Sequence, residues 1–226
     1  MPNPEAVVFD MDGVLIDSED IWRQVRQEFA AGLGAVWSEA DQVSTMGCNT
    51  AMWSRIMCRR LQLRERAGMD EAGVAREIIR RMQDRYSAHL PQREGAVAAV
   101  QLAATRYKVG LATGSPRALA EHVLRVTGLD QVFQATVVGD DVELGKPAPD
   151  IYRAALARLG VRPQDAVGVE DSGNGILSLR AAGMGIIAAP HPSYPLKAEV
   201  QALAAVTITS MVQFSVELVE RAGAAR

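Results

Sequence analysis

The sequence predicts an α/β protein: a doubly wound parallel sheet with a small helical domain inserted after its first strand. Three observations lead there. Five short runs rich in Val, Ile and Ala (residues 6–9, 109–112, 136–138, 166–169 and 185–189) are apolar throughout and do not alternate, as strands covered on both faces do not. Segments of helical period separate the last four runs, the strand–helix–strand repetition of a parallel sheet. Roughly a hundred residues lie between Phe9 and Val109, where a crossover needs only a dozen or a little more.

In chain order, the first strand runs into Asp10-Met11-Asp12-Gly13. The stretch from Ser18 to about His89 reads as helix, with Ile21, Val25 and Phe29 spaced by four and with residues 55–66 and 75–86 arginine-rich and helical in period. All three tryptophans, Trp22, Trp37 and Trp53, lie in it. Residues 17–90 are therefore expected to form the inserted domain, and residues 1–16 with 91–226 the core. The arginines are read as a solvated face balanced by Glu28, Glu65, Glu71, Glu77 and Asp84, in preference to an anion-binding face. After the second strand, Ser115 reads as an N-cap and Pro116 as the first helical residue, with Leu119 and Val123 on the apolar stripe and Gly128 as the stop. The next helix opens at Lys146-Pro147-Ala148-Pro149 and ends at Gly160. A third runs from about Ser172 through Ile176 and Leu179 to Gly183.

Composition narrows the chemistry. The chain has 226 residues, 24 basic and 27 acidic side chains, a formal charge of −3 and 48% hydrophobic residues. That suits an ordinary globular protein with a sizeable core and no nucleic-acid footprint. The histidines (His89, His122, His191) are far apart and the cysteines are only Cys48 and Cys58, which argues against a zinc module and excludes a disulfide scaffold. The lysines are Lys108, Lys146 and Lys197, so any catalytic lysine is one of these. Met1 to Glu5 lead into an apolar run with no basic start; no signal peptide and no membrane span are expected. Two unpaired thiols then fit the cytoplasm. A monomer is the default, for want of an interface signal.

In open α/β sheets, ligands bind outside the carboxyl ends of the strands. The residues at those ends are Asp10 and Asp12, then Thr113-Gly114-Ser115, then Gly139-Asp140-Asp141 with Lys146 opening the following helix, then Glu170-Asp171-Ser172. Asp10, Asp12, Glu170 and Asp171 placed together would repel strongly without a cation. Hard oxygen ligands select Mg²⁺, commonly bound together with a substrate phosphate. Each motif alone has a plainer reading as a surface loop, a helix cap or a dipole partner. Their joint occurrence in order at strand ends favours function.

The order Asp10-Met11-Asp12-Gly13-Val14, Leu111-Ala112-Thr113-Gly114-Ser115, Gly145-Lys146-Pro147-Ala148-Pro149-Asp150 and Val169-Glu170-Asp171-Ser172-Gly173-Asn174-Gly175 resembles the haloacid dehalogenase-like hydrolases, and within them the β-phosphoglucomutase and sugar-phosphate phosphatase subgroup. The resemblance covers nearly the whole chain and implies a Rossmann-like core with a helical cap. It implies that Asp10 is the nucleophile forming an aspartyl-phosphate and Asp12 the acid/base. Thr113 and Lys146 would hold the phosphoryl oxygens, together with Gly114 and Ser115. Asp10, the main-chain carbonyl of Asp12 and Asp171 would ligate Mg²⁺, with Glu170 direct or through water.

Asp12 separates phosphate chemistry from dehalogenation, because the dehalogenase branch lacks it. The mutase branch carries a histidine in the first cap helix and an arginine just after a cap glycine; Trp22 and Thr50 stand there instead. A phosphatase acting on a small phosphorylated metabolite, with a sugar or polyol phosphate first, is therefore expected. A phosphosugar mutase and a catalytically silent binding protein on the same fold are the alternatives. Glu19, Trp22, Gly47, Cys48, Asn49 and Trp53 are the cap candidates for substrate contact, with cap packing the plainer reading for the two tryptophans and an inert thiol for Cys48. Hexose phosphate, polyol phosphate, phosphoglycolate and nucleoside monophosphate all fit the core motifs.

Overall fold

The structure, a computed structural model, describes residues 4–225. Met1, Pro2 and Asn3, on which part of the expectation about a signal peptide rests, lie outside the described residues.

Six parallel strands form one sheet: β1 (Ala6–Phe9), β2 (Lys108–Ala112), β3 (Ala135–Val137), β4 (Ala166–Glu170), β5 (Gly185–Ala188) and β6 (Val206–Thr207), in the order β3-β2-β1-β4-β5-β6. The first five agree with the apolar runs to within a residue or two. β6 is an addition: two residues pairing with the end of β5, too short to leave a pattern in the sequence.

The continuous apolar runs have a simple cause. Side chains alternate across a strand. Val7, Phe9, Val109, Leu111, Val167, Val169 and Ile187 enter the core on one face. Ala6, Val8, Ala112, Ala166, Ile186 and Ala188 enter the core on the other. Helices cover both faces. α6 (Ala96–Ala104), α7 (Arg117–Thr127) and α11 (Val216–Ala224) supply apolar residues to the first, and α8 (Asp150–Leu159) and α9 (Gly173–Ala182) to the second. A short α10 (Ala198–Gln201) leads into β6.

Between β1 and β2 the insertion holds α1 (Glu19–Ala31), α2 (Glu39–Thr45), α3 (Thr50–Leu61), α4 (Leu63–Ala67) and α5 (Glu71–Ala88). Their starts are written locally. Asn49 accepts from Met52 N (3.0 Å) and Asp70 from Gly73 N (2.8 Å), while Ser38 and Asp41 form a reciprocal capping box. The arginine-rich stretch 55–66 is two helices, because Gln62 takes a left-handed conformation (φ 53°) that ends α3 and starts α4. The two connectors of the insertion run side by side: Asp17 N donates to Pro91 O (2.8 Å) and Ile16 bridges to Gln92. No helix among the described residues is long and apolar enough to cross a membrane.

One local expectation fails. Pro116, not Ser115, is the residue before α7, and neither caps it by side chain. The Ser115 hydroxyl is taken by Asp12 Oδ2 at 2.7 Å, a charged acceptor and the stronger partner. The first amide of α7, at Arg117, donates to Asp140 Oδ2 instead (2.9 Å).

Candidate active site

The topology explains why the motifs meet. β1 is central, flanked by β2 and β4, and the strand order diverges from it, the place where doubly wound sheets open a crevice. Phe9 pairs in register with Leu111 and with Val169. Asp10 and Glu170 therefore leave neighbouring strands at one level, with Thr113 one residue further along.

Lys146 sits at the centre of the buried half. It is fully buried, its Nζ 2.9 Å from Asp10 Oδ1, and it donates to Glu170 Oε1. Glu170 Oε1 also accepts from Tyr152 OH (3.0 Å), and Oε2 accepts from Ser172 N (2.9 Å) and Oγ (3.0 Å). Burial would lower the Lys146 pKa, but Asp10 and Glu170 outweigh it and hold it above its ordinary value. Burial would raise Glu170, but the Lys146 ammonium and the other donors outweigh that and hold it low.

Asp10 and Asp171 differ. Burial, with repulsion from neighbouring carboxylates, pushes both well above the ordinary carboxylate range against the pull of Lys146. Asp171 Oδ2 is buried with no hydrogen-bond partner. Asp10, Glu170 and Asp171 each offer one oxygen, and these lie within 4.8 Å of one another. A buried set of hard oxygens with an orphaned carboxylate atom fits a divalent cation such as Mg²⁺. Gly13 makes the approach possible: its φ is +76°, and a Cβ there would come within 2.1 Å of Asp171 Oδ2. Sequence reasoning missed Arg93, which donates to Gly13 O and to Ala189 O (2.8 Å) and so ties that turn to the end of β5.

The carboxylate of Asp12 is held elsewhere, under the insertion. Oδ1 accepts from Ser18 Oγ (2.6 Å), Trp22 Nε1 (3.0 Å) and Tyr86 OH (3.3 Å), and Oδ2 from Ser115 Oγ (2.7 Å) and Thr113 Oγ1 (3.3 Å). Trp22 thus reaches the site as well as packing in the core. Tyr86 was missed; it lies on the buried stripe of α5, where nothing local marks it as polar in use.

The other expected residues fall along the seam between insertion and core. The loop 46–49 lies on core loops: a Cβ on Gly114 would come within 2.8 Å of the carbonyl oxygens of Gly47 and Cys48. Gly47 faces Ser172 Oγ, and Asn49 packs on Gly139 and Gly145, while Asn49 Oδ1 is occupied as a helix cap. Asn174 Nδ2 reaches across the seam and donates to Met46 O (2.9 Å). Burial raises the Cys48 thiol, as suits a packed, unreactive group. Glu19 is buried and accepts from Gln42 Nε2 (3.2 Å). Burial, then repulsion from Asp12, raises it to about 7. Arg117 is exposed and paired with Asp141. A cavity of about 510 Å³, bounded by Val43 and Met46 on one side and by Asp171, Ser172, Leu177 and Tyr194 on the other, opens onto this seam.

Comparison with known proteins agrees with this architecture. The family model of haloacid dehalogenase-like hydrolases matches residues 4–183. A phosphorylated carbohydrates phosphatase from Thermotoga maritima is 33% identical over 80% of this chain and 82% of its own length. Hexitol phosphatase B from Escherichia coli K12 is 33% identical over 83% and 84%. The crystal structure of CbbY from Rhodobacter sphaeroides in complex with phosphate superposes with a TM-score of 0.79 at 27% identity, over 93% of this chain and 96% of that one. The chain belongs to the haloacid dehalogenase-like hydrolases. Within them it falls in the sugar-phosphate phosphatase subgroup and is a phosphatase.

Proposed function

We propose that the enzyme is a Mg²⁺-dependent phosphatase that hydrolyses a small sugar or polyol phosphate through a phosphoryl group carried on Asp10. One observation carries the reading. Asp10, Lys146 and Asp171 crowd one side of the strand ends, while the Asp12 carboxylate is turned to the other side by donors of the core and the insertion. Two carboxylates two residues apart thus sit in different surroundings, as different roles require.

A carboxylate oxygen of Asp10 attacks phosphorus and the ester P–O bond breaks, leaving the phosphoryl group on Asp10. Asp12, protonated, gives its proton to the departing oxygen. It then takes a proton from water, whose oxygen attacks the same phosphorus, freeing phosphate and restoring the Asp10 carboxylate. Lys146 fixes Asp10 and offsets charge developing on the phosphoryl oxygens. Thr113, Gly114 and Ser115 line the same strand end. Mg²⁺ held by Asp10, the Asp12 main-chain carbonyl and Asp171 would screen the anionic nucleophile from the anionic ester. Glu170, which accepts from Lys146, Tyr152 and Ser172 and offers an oxygen to the same cluster, would serve the ion directly or through water.

Residues 17–90 act as the cap over this site, with the paired connectors as its hinge. Glu19, Trp22, Gly47 and Asn49 shape the space for the substrate, which the named activities of the two phosphatase relatives support as a phosphorylated carbohydrate or polyol. Cys48 and Cys58, both unpaired, suit a reducing cytoplasm, and a monomer is the default. Phosphate release from a panel of phosphate esters, with Mg²⁺ and with a chelator, tests the reading. Mg²⁺-dependent release from a sugar or hexitol phosphate supports it, and full activity in the chelator contradicts it.

A further inference from the structure

Past Asp10 the sheet no longer holds the first motif. The β1–β4 register ends at Phe9 opposite Val169, and Asp10 N still donates to Val169 O (3.0 Å). The chain then turns on itself: Gly13 N donates to Ile16 O (2.7 Å) and Leu15 N to Met11 O (2.8 Å). The main-chain carbonyl of Asp12, a proposed ligand of the ion, lies in this turn. Asp171, another proposed ligand, lies just past β4. The register stops short of both, so something other than strand pairing must hold one against the other.

Arg93 bridges the gap. It belongs to the second connector of the insertion, and its amide donates to Leu15 O (3.0 Å). Its side chain returns to the same turn: Nη1 donates to Gly13 O and, at 2.8 Å, to Ala189 O. Ala189 N in turn donates to the carbonyl of Glu170 (2.7 Å), the residue before Asp171. One guanidinium nitrogen thus joins the turn after β1 to the backbone that carries Glu170 and Asp171. The two meet closely, since a Cβ on Gly13 would overlap the Asp171 carboxylate.

Charge does not account for this arginine. Both acceptors of Nη1 are main-chain carbonyls, and the residue is half-buried. Burial lowers its pKa, against the pull of Asp171 and then Asp17. A guanidinium stays cationic in proteins, and a fixed cation near Asp171 repels a divalent ion bound there. Whatever Arg93 contributes to the ion is therefore geometric. Groups that orient metal ligands from outside are worth about 10- to 100-fold in metal affinity or activity.

We infer that Arg93 is a positioning residue for the divalent cation: by tying Gly13 O to Ala189 O it holds the Asp12–Gly13 turn against Asp171, so that ligands from β1 and β4 reach one ion. Because Arg93 stands in a connector of the insertion, the ion and the hinge steady each other. This deepens the Mg²⁺-dependent phosphatase reading of the same site and rests on it.

The test uses the full chain and Mn²⁺ as the probe, with free Mn²⁺ measured by electron paramagnetic resonance in the absence of turnover. Loss of a charge and loss of a tie predict opposite signs. Charge alone makes Arg93→Gln bind Mn²⁺ more tightly. Positioning makes it bind about tenfold more weakly or worse, and Arg93→Lys, which keeps a charged donor, should recover part. The Mg²⁺ concentration for half-maximal turnover of p-nitrophenyl phosphate should rise by the same factor. Unchanged or tighter Mn²⁺ binding in folded Arg93→Gln overturns the inference, even if its thermal midpoint falls, because a merely structural role would lower the midpoint and leave the metal constant alone. The wild type supplies a second measurement that needs no variant. Adding Mg²⁺ should slow hydrogen exchange in the peptide that holds residues 91–95, and an unchanged rate there overturns the inference. Failure of the underlying reading would look different, as a wild type that binds no Mn²⁺ and keeps full activity in a chelator.

Discussion

Trp22 Nε1 donates to Asp12 Oδ1 across 3.0 Å, so a helix of the insertion holds a carboxylate that leaves the end of β1. The contact makes the position of Asp12, the proposed acid/base, depend on where the insertion sits. A loop or domain that closes over a site commonly completes it in this way. Trp22→Phe keeps most of the buried ring and removes the donor. Hydrogen bonds to charged groups are worth about 1.5–3 kcal/mol, so kcat should fall roughly ten- to a hundredfold in steady-state assays with an aryl phosphate. Unchanged kcat would show that Asp12 is held well enough by Ser18, Tyr86, Thr113 and Ser115.

Lys146 is the one cation touching both Asp10 and Glu170 among the described residues. Lys146→Ala leaves two buried carboxylates without it. Breaking a buried pair from one side costs about 3–5 kcal/mol, so a lower thermal midpoint and near-complete loss of turnover are expected together. Lys108 donates to Leu159 O at the start of β2 and Lys197 stands before α10. Lys108→Arg and Lys197→Arg should be nearly silent in the same two measurements.

Gly114 tests the seam. A Cβ there meets the Gly47 and Cys48 carbonyl oxygens at 2.8 Å, closer than packed atoms tolerate. Gly114→Ala should keep the insertion from seating while leaving the sheet intact. KM should rise and kcat fall, with little change in circular dichroism. Wild-type kinetics would mean the seam is not needed for turnover.

Glu19 gives a pH dependence. Its folded-state pKa is raised from 4.5 to about 7, so the native state holds the proton more tightly than the unfolded chain. Stability from this group is full below about 4.5 and is lost as pH rises toward 7. Glu19→Gln removes that loss. The variant's thermal midpoint should gain on the wild type between pH 5 and pH 8. A constant difference across that range would contradict the raised pKa.

How much of this was legible in the sequence follows from the physics of each part. Parallel strands buried on both faces write continuous apolar runs, and sites at strand ends place the motifs beside those runs. Hence Asp10, Thr113, Lys146 and Glu170 could be found in order. Contacts made across the fold leave no local trace. Ser115 looks like a cap until Asp12 takes its hydroxyl, and Tyr86 reaches Asp12 from 74 positions away. Arg26 shows a signal that went unused. Glu19, Trp22 and Arg26 are spaced by three and four, which puts an arginine on the buried stripe of α1. The charge pattern alone reads it as solvated, as Arg64, Arg80 and Arg85 indeed are.

The central claim is that phosphorus is carried on Asp10. Acid-quenched turnover with an aryl phosphate, followed by peptide mapping by mass spectrometry, tests it most directly. A phosphoryl group on the Asp10 peptide of the wild type is predicted, absent in a folded Asp10→Asn variant that releases no phosphate. Turnover at near wild-type rate by Asp10→Asn would contradict the account.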